Sequence, residues 1–410
     1  MVSWRIGAAL VALAIFAAPS SHAETVKVEA YADLRLVHAP DEDAWQEGGL
    51  GKTRFGGGDA QTHLAEIGVE LSGEILPGLT LFAGARYEEH QRTPVDLMEA
   101  YLSYAPASDN AFHWSLKAGA FYPPISLEND QIGWASTWTI TPSAINSWVG
   151  EELRTIGVEG RMEWRGASDR FALYGAVYGW NDPAGVLIAD RGWALSDRPT
   201  GLFDKPRLPD AYAMQDGVPP PLTTPMFREM DGRAGWYAGA SWSHPGWARV
   251  TVLRYDNNAD PAVKQGDDIA WLTRFWSVGI EAQPFGLVVK AQGLSGDTLI
   301  APSRFYSGRT EFRSAYLLVG KVIGQWRIAA RGEVFETTQY NAFGGPFSED
   351  PDGNERGRAG TLGVFWTPKP WLQLGGEALY IVSDRPQREV MGLDARSEEL
   401  QVQTSVKLIY

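Results

Sequence analysis

The chain has 410 residues, a formal net charge of −14 at pH 7 and no cysteine. The acidic balance argues against nucleic acid as a partner, and the lack of cysteine excludes a disulfide framework and a thiolate metal site. The 45 Gly, 17 Trp, 15 Tyr and 16 Phe are typical of a protein with many strands, tight turns and aromatic belts.

The N-terminus has the pattern of a secretory signal peptide. Arg5 precedes an apolar run over residues 6–18, and Ser21-His22-Ala23 is a small-x-small cleavage site. The run is too short to span a bilayer comfortably and belongs to targeting rather than to the fold. We predict that residues 1–23 are removed before Glu24. Because Arg5 is the only charged residue among them, the net charge changes from −14 to −15 in the mature chain.

The remainder, 24–410, consists of alternating segments of about ten residues, joined in turn by short and long connections. The short connections contain Pro-Gly or Gly turns, because Pro presets one turn residue and Gly tolerates positive φ. The outer connections, all long except 91–94, are expected near residues 37–61, 91–94, 122–150, 181–233, 257–270, 296–310, 339–355 and 384–397. The predicted fold class is all-β: a transmembrane antiparallel β-barrel of about sixteen strands, with eighteen as the alternative count, and long extracellular loops.

Residues 399–410 form the predicted closing strand. One parity is apolar and the other polar: Leu400, Val402, Val406, Leu408 and Tyr410 against Gln401, Gln403, Ser405 and Lys407. This period-2 alternation is typical of a strand with one apolar face, and we expect it to pair with 26–36. A strand that ends on a terminal aromatic resembles the C-terminal signature of Gram-negative outer-membrane proteins. The alternative is an edge strand of a soluble β-protein.

A sixteen-stranded barrel is expected to enclose an aqueous channel rather than a filled core. Charged residues of both signs lie on the parity that we assign to the lumen. The basic residues expected to line the pore are Arg86, Lys117, Arg161, Lys290, Arg327 and Arg331. The alternative for each of them is that it solvates a wide pore without a specific role.

The third outer connection, 122–150, is rich in residues that pack, among them Trp134, Trp138, Ile145 and Trp148. We predict that it folds inward as a constriction, with its apolar side against the wall and Glu128 and Asp130 toward the bore. Facing basic wall residues, these acids would create a transverse field that orders dipolar solutes. The longest connection, 181–233, contains Pro219-Pro220-Pro221 and is predicted to be a partly stiff outer loop.

Two short segments carry a family resemblance. The run Lys117-Ala-Gly-Ala-Phe-Tyr-Pro-Pro-Ile-Ser-Leu-Glu128 and the later Arg154-Thr-Ile-Gly-Val158 resemble segments of the phosphate-selective porins O and P, within the Gram-negative porins. In that family they enter and leave the third loop, and basic residues at the constriction confer phosphate selectivity. This third loop contains acids but no Lys or Arg, so the resemblance implies the architecture and not the ligand.

The resemblance implies an outer-membrane protein that allows passive diffusion of small hydrophilic solutes or ions and needs no cofactor. It also implies a homotrimer, contact with outer-membrane lipid and lipopolysaccharide, and assembly by the barrel assembly machinery through the strand that ends at Tyr410.

Three alternatives remain at this stage. His113-Trp114-Ser115 places a His and a Ser on one strand face, as outer-membrane phospholipases do, but no orienting Asn is apparent, so we predict no catalytic site. Asp350-Pro-Asp352-Gly-Asn354-Glu355 matches an EF-hand loop only partly, so we predict no metal site. A non-conducting structural or adhesive barrel would have its bore plugged by residues 122–150 and 181–233.

Overall fold

A computed structural model of the chain describes residues 26–58, 60–89, 91–209, 223–266 and 268–410. Sixteen strands in these residues form one closed antiparallel barrel, in which each strand pairs with its neighbours along the chain. The fold class and the count of sixteen are therefore confirmed. The predicted signal peptide, 1–23, and the run Pro219-Pro220-Pro221 lie outside the described residues.

The strands of the barrel, numbered along the chain, are β1 (Lys27–His38), β2 (Ala60–Leu76), β3 (Leu79–Tyr87), β4 (Val95–Tyr104), β5 (Phe112–Phe121), β6 (Thr155–Arg165), β7 (Arg170–Gly179), β8 (Gly235–His244), β9 (Ala248–Asp256), β10 (Leu272–Ala282), β11 (Val288–Ser303), β12 (Tyr306–Ile323), β13 (Trp326–Ala342), β14 (Ser348–Lys369), β15 (Leu372–Asp384) and β16 (Arg396–Ile409). Two α-helices lie in the connections, α1 (Ala144–Glu152) and α2 (Val186–Asp190).

The barrel closes by pairing its first and last strands, as the sequence predicts. β1 and β16 are in register from Tyr31 opposite Ile409 to His38 opposite Val402. Beyond the last ladder pair, the backbone N–H of Tyr410 donates to the carbonyl oxygen of Ala30 at 2.8 Å. Closure satisfies the backbone groups that an open sheet would leave unpaired at its two edges.

Each strand presents alternate residues to the two sides of the barrel wall. On β5, for example, Phe112, Trp114 and Leu116 are exposed, whereas His113 and Lys117 are partly covered. An exposed apolar outer face and a polar inner face are the pattern of a membrane barrel. Among the described residues, no helix has the length and apolarity required to span a membrane.

The two ends of the barrel differ in their connections. At one end, the turn end, short turns join the strands, and a ring of exposed aromatic residues follows the rim: Trp164, Phe171, Trp247, Trp326, Trp371 and Tyr410. At the other end, the loop end, the longest connections are L1 (39–59), L3 (122–154) and L4 (180–234). Such rings are typical of barrel proteins at a membrane interface.

Two predicted loops at the loop end are wrong. Residues 296–310 and 339–355 are mostly strand, because β11 continues to Ser303 and β12 begins at Tyr306, while β13 continues to Ala342 and β14 begins at Ser348. Their ladders continue past the polar residues that suggested loops, with single register shifts. Cross-strand hydrogen bonds therefore outweigh the polar composition in these hairpins.

Candidate functional site

L3 lies inside the barrel and reaches opposite walls. On one side, the N–H of Gly133 donates to Glu70 of β2 at 2.9 Å, and the guanidinium of Arg86 on β3 donates to the Gly133 carbonyl oxygen at 3.4 Å. On the far side, Lys290 of β11 donates to the carbonyl oxygen of Leu127 at 2.6 Å. L3 therefore crosses the bore from β2 and β3 to β11.

Arg331 of β13 is the main anchor of L3. Its guanidinium donates to Glu128 at 3.0 Å, to Glu333 at 2.9 Å and to the carbonyl oxygens of Thr141 and Pro142 at 2.9 and 3.0 Å. Arg331 is 3 % exposed, and Glu128 is fully buried. A buried ion pair is stable only when its remaining donors and acceptors are also satisfied, as they are here.

This arrangement corrects the prediction that Glu128 faces the bore. Glu128 points at the wall, because its carboxylate is the partner of Arg331 and cannot be buried unpaired. Asp130 is exposed, and its carboxylate lies 3.2 Å from the ammonium of Lys290. The two acids of L3 thus form direct ion pairs with basic residues of the wall. Their charges neutralise one another locally, so the predicted transverse field across an open gap is absent from this conformation.

Carboxylates of L3 and of the wall also hold the start of α1. The N–H of Ser143 donates to Glu128 at 2.9 Å, and the N–H of Ala144 donates to Glu333 at 2.7 Å. Just before the helix, the N–H of Thr141 donates to Glu377 of β15 at 3.0 Å. The first N–H groups of a helix lack hydrogen-bond partners within the helix and carry a partial positive charge. The carboxylates accept hydrogen bonds from these groups and compensate that charge.

A hydrophobic core fills the loop-end half of the bore. Trp148 of α1 is fully buried, and its ring lies 5.0 Å from that of Phe312, 5.5 Å from Phe275 and 6.0 Å from Trp193 of L4, centroid to centroid. The loop residues of this core include Ile125, Trp138, Ile145, Val149, Ile188 and Leu195, and the wall residues include Tyr237, Leu253, Tyr255, Leu294, Phe335 and Leu379.

The expectation of an aqueous channel rather than a filled core is therefore wrong for this conformation. Inward residues at this level are buried on many strands around the wall: Arg35, Glu66, Arg86, Glu159, Lys290, Arg331, Thr361, Glu377 and Gln403. The physical reason is that inward aromatic and aliphatic side chains on β8 to β13 offer an apolar surface, which the apolar residues of L3 and L4 cover.

L4 was predicted to be an outer loop, and its first part is instead inside the barrel. Glu152, at the end of α1, accepts hydrogen bonds from the N–H of Leu187 in α2 at 2.8 Å and from the indole of Trp148 at 2.5 Å. Arg191 pairs with Glu151 at 2.8 Å. These contacts join L3 and L4 into one unit.

Burial of this unit changes how its acids titrate. Burial raises the pKa of Glu152 from its ordinary 4.5 to about 7, although hydrogen bonds from Leu187 and Trp148 oppose the shift. Burial likewise raises the pKa of Asp190 to about 6, against the opposing charge of Arg385. Both groups therefore bind protons more tightly when the loops are packed in the barrel.

Acidification from pH 8 to pH 5 is expected to hold the L3–L4 unit more firmly. The carboxyl groups of Glu152 and Asp190 have higher pKa values in the packed state than in the released state. Between about pH 4 and pH 7 the packed state therefore binds more protons, and its stability relative to the released state falls as pH rises. Cleavage of L3 and L4 by a protease active at both pH values should be slower at pH 5. Glu152→Gln should reduce the difference in cleavage rate between pH 8 and pH 5. Faster cleavage of the wild type at pH 5 than at pH 8 would contradict the prediction.

A second buried group of charges connects L1 and L4 to the wall. We call it the arginine cluster: Arg35, Arg54, Arg86 and Lys407, with Asp33, Glu66, Glu88 and Asp197, all linked by ion pairs. Burial alone would raise the pKa of Asp197, but the guanidinium groups of Arg35 and Arg54 more than offset it and hold that pKa well below its usual range.

The predicted pore residues fall into two groups. Five of them lie where L3 meets the wall: Arg86, Glu128, Asp130, Lys290 and Arg331. Lys117, Arg161 and Arg327 lie nearer the turn end: Lys117 is 3.4 Å from Glu159, Arg161 is 3.3 Å from Glu163, and the guanidinium of Arg327 lies over the ring of Phe365. The side chains of Lys117 and Arg161 are 26 % and 36 % exposed, so the turn-end half of the bore is open to water.

The two segments that carried the family resemblance meet in the structure. The guanidinium of Arg154 lies 3.5 Å from the centre of the Tyr122 ring, which stacks on Trp134 with 3.7 Å between ring centroids. Arg154 also donates to the carbonyl oxygens of Leu153, at 3.2 Å, and of Thr200 in L4. This stack joins the start and the end of L3 to L4.

The catalytic and metal alternatives gain no support from the geometry. His113 and Ser115 share the inner face of β5, opposite Glu163 and Arg161 on β6, and no hydrogen bond joins them among the residues described. In the partial EF-hand match, Asp350 accepts from Asn341 at 2.8 Å, while Glu355 is buried and paired with Lys52. The carboxylates of that motif are therefore engaged separately.

No known protein family matches the chain, and no curated protein matches it. Solved structures do match over almost the whole length. The outer-membrane channel DcaP of Acinetobacter baumannii has 10% identity over 96% of this chain and 99% of its own, with a TM-score of 0.56. A loop-deletion mutant of the outer-membrane protein OmpT of Vibrio cholerae has 11% identity over 95% of this chain and 100% of its own, with a TM-score of 0.54.

The anion-selective porin from Comamonas acidovorans has 12% identity over 94% of this chain and 99% of its own, with a TM-score of 0.50. The fold is that of the outer-membrane barrels. At such low sequence identity the similarity extends to the fold and not to the residues that determine function.

Proposed function

We propose that this protein is a Gram-negative outer-membrane porin for the passive diffusion of small hydrophilic solutes or ions, and that the described conformation is closed. One observation carries the proposal: the described parts of L3 and L4 fill the loop-end half of the bore without belonging to the barrel sheet. Mostly side-chain contacts hold them to the wall, together with main-chain hydrogen bonds such as that from the N–H of Leu202 to the carbonyl oxygen of Leu97 on β4 at 2.8 Å. Their movement therefore opens the bore while every strand ladder stays intact.

The two faces of the wall support this proposal. The outer face is apolar, as a surface toward lipid must be, and the turn-end half of the bore carries hydrated charges. We further propose outer-membrane lipid and lipopolysaccharide as neighbours, a homotrimer, delivery by a cleaved signal peptide, and assembly through the strand that ends at Tyr410. No reaction and no cofactor are part of the proposed function.

The filled bore favours a second candidate, the non-conducting structural or adhesive barrel. That candidate predicts a bore plugged by residues 122–150 and 181–233, and the described parts of L3 and L4 do pack into it. The two functions differ in one property. In a porin the L3–L4 unit leaves its packed position reversibly, whereas in a structural barrel it never does.

Uptake of neutral sugars by liposomes separates the two candidates. Liposomes that contain the purified protein and are transferred to an iso-osmotic solution of a small sugar are expected to swell faster than protein-free liposomes. The rate should fall as the sugar becomes larger, because the opening is of limited width. Swelling no faster than in protein-free liposomes for sugars of every size would favour the structural barrel.

A further inference from the structure

Asp197 of L4 is held at two points by three arginines. Its carboxylate oxygen Oδ2 accepts from Arg35 at 2.6 Å and from Arg54 at 2.9 Å. Its own main-chain carbonyl oxygen accepts from Arg86 at 2.9 Å. We call the space between Arg35, Arg54 and Arg86 the anion pocket. The side chain that occupies it is only 8 % exposed.

The atoms held in the anion pocket have the skeleton of a small molecule. Four carbons of Asp197 form a chain with oxygen acceptors at both ends: the carboxylate carbon, Cβ, Cα and the main-chain carbonyl carbon. A free four-carbon dicarboxylate such as succinate has the same skeleton, with a second full carboxylate where the main chain has a neutral carbonyl. Guanidinium groups bind carboxylates with matching planar geometry, so Arg86 would gain a second charged partner beside Glu66.

The charge balance of the arginine cluster depends on Asp197. Its four cations are matched by four acids only when Asp197 is counted, so withdrawal of L4 leaves one buried positive charge in excess. An uncompensated buried charge is costly and favours the binding of an anion. Asp197 also leaves hydrogen-bonding groups of the pocket unpaired. Its own Oδ1 and the Nε of Arg86 are buried without a hydrogen-bond partner among the described residues.

Two adjoining basic cavities, which we call the basic route, extend as far as Arg54 of the anion pocket. A cavity of about 390 Å³ is lined by Arg54, Arg198 and Arg207, and a second of about 300 Å³ shares Arg198 and Arg207 and adds Arg92 and Lys205. The acids along both cavities are fewer: Glu47, Glu88 and Asp204. In a chain with a net charge of −14, this local excess of positive charge attracts anions toward Arg54.

We propose that the anion pocket of Arg35, Arg54 and Arg86 is a binding site for a small dicarboxylate, which Asp197 occupies in the closed conformation as an internal substitute. A dicarboxylate that enters along the basic route replaces Asp197 and so favours the withdrawal of this part of L4. The assignment deepens the proposed porin function and rests on it.

Removal of the internal substitute should increase the affinity for the free ligand. Asp197→Ala, purified in detergent, is expected to bind succinate at least tenfold more tightly than the wild type in isothermal titration calorimetry. Acetate should bind more weakly than succinate because it reaches only one end of the pocket, and uncharged succinamide should not bind. Asp231→Ala is the matched control, because it also removes an aspartate of L4. The Asp231 carboxylate accepts from the main-chain N–H groups of Arg233 and Asp260 and makes no hydrogen bond with the arginines of the anion pocket among the described residues.

If Asp197→Ala does not fold, Asp197→Asn keeps the shape and removes the charge. Its melting temperature should then rise with succinate concentration more steeply than that of the wild type. Equal responses of the wild type and both variants would overturn the site, and equal binding of inorganic phosphate and succinate would overturn the dicarboxylate assignment. Binding in detergent requires no transport, so failure here is distinguishable from absence of sugar uptake in liposomes.

Discussion

Replacing Arg331 by alanine is expected to release L3 from the wall while the barrel stays folded. The substitution leaves Glu128 and Glu333 buried without their cation, and breaking a buried pair from one side costs about 3 to 5 kcal/mol. A loss of about 3 kcal/mol lowers the ratio of packed to released L3 by roughly two orders of magnitude. Limited proteolysis should therefore cleave L3 much faster in Arg331→Ala than in the wild type.

Arg327→Ala is the matched control for this variant. Arg327 lies on the same strand and the same face, but its guanidinium lies over the Phe365 ring at 5.1 Å and has no carboxylate within 4.0 Å among the described residues. Its loss should leave L3 as resistant as in the wild type. If Arg331→Ala and Arg327→Ala are cleaved at the same rate, the wall ion pairs do not hold L3.

Replacing Trp148 by alanine is expected to loosen L3 and L4 together. The indole is fully buried between Phe275, Phe312 and Trp193, so truncation removes its transfer free energy and leaves a cavity. Large-to-alanine changes of this kind cost about 3 to 5 kcal/mol. Both loops should become protease-sensitive, because Trp193 of L4 loses its packing partner in L3.

The control for Trp148→Ala is Trp276→Ala. Trp276 follows Phe275 on β10 but faces outward and is exposed, so its truncation removes no contact with either loop. The control should leave both loops protected. Sensitivity of L3 alone in Trp148→Ala would contradict the idea that the two loops form one unit.

The barrel itself is readable from the sequence, because its determinants are local. Period-2 alternation identifies the strands, Pro77-Gly78 marks a turn, and the alternating run that ends at Tyr410 identifies the strand that closes on β1. Each of these signals depends on residues within about ten positions of one another. The hairpins β11–β12 and β13–β14 are longer than predicted, because polar residues near their tips resemble a loop.

The filling of the bore is less readable, because it depends on contacts between distant residues. Arg35 and Asp197 are 162 positions apart, and no periodicity relates them. One signal was nevertheless present: inward positions such as Tyr237, Phe275 and Phe312 are aromatic on strands that also have an apolar outer face. A strand that is apolar on both faces is buried on both faces, and in this barrel the loops cover the inner one.

Single-channel recording in a planar bilayer can show whether two movable loops close a conducting barrel. We expect stepwise currents from the wild type and a larger open fraction from Arg331→Ala, with Arg327→Ala like the wild type. The absence of stepwise current at every voltage from both the wild type and Arg331→Ala, with the barrel folded in each, would contradict it.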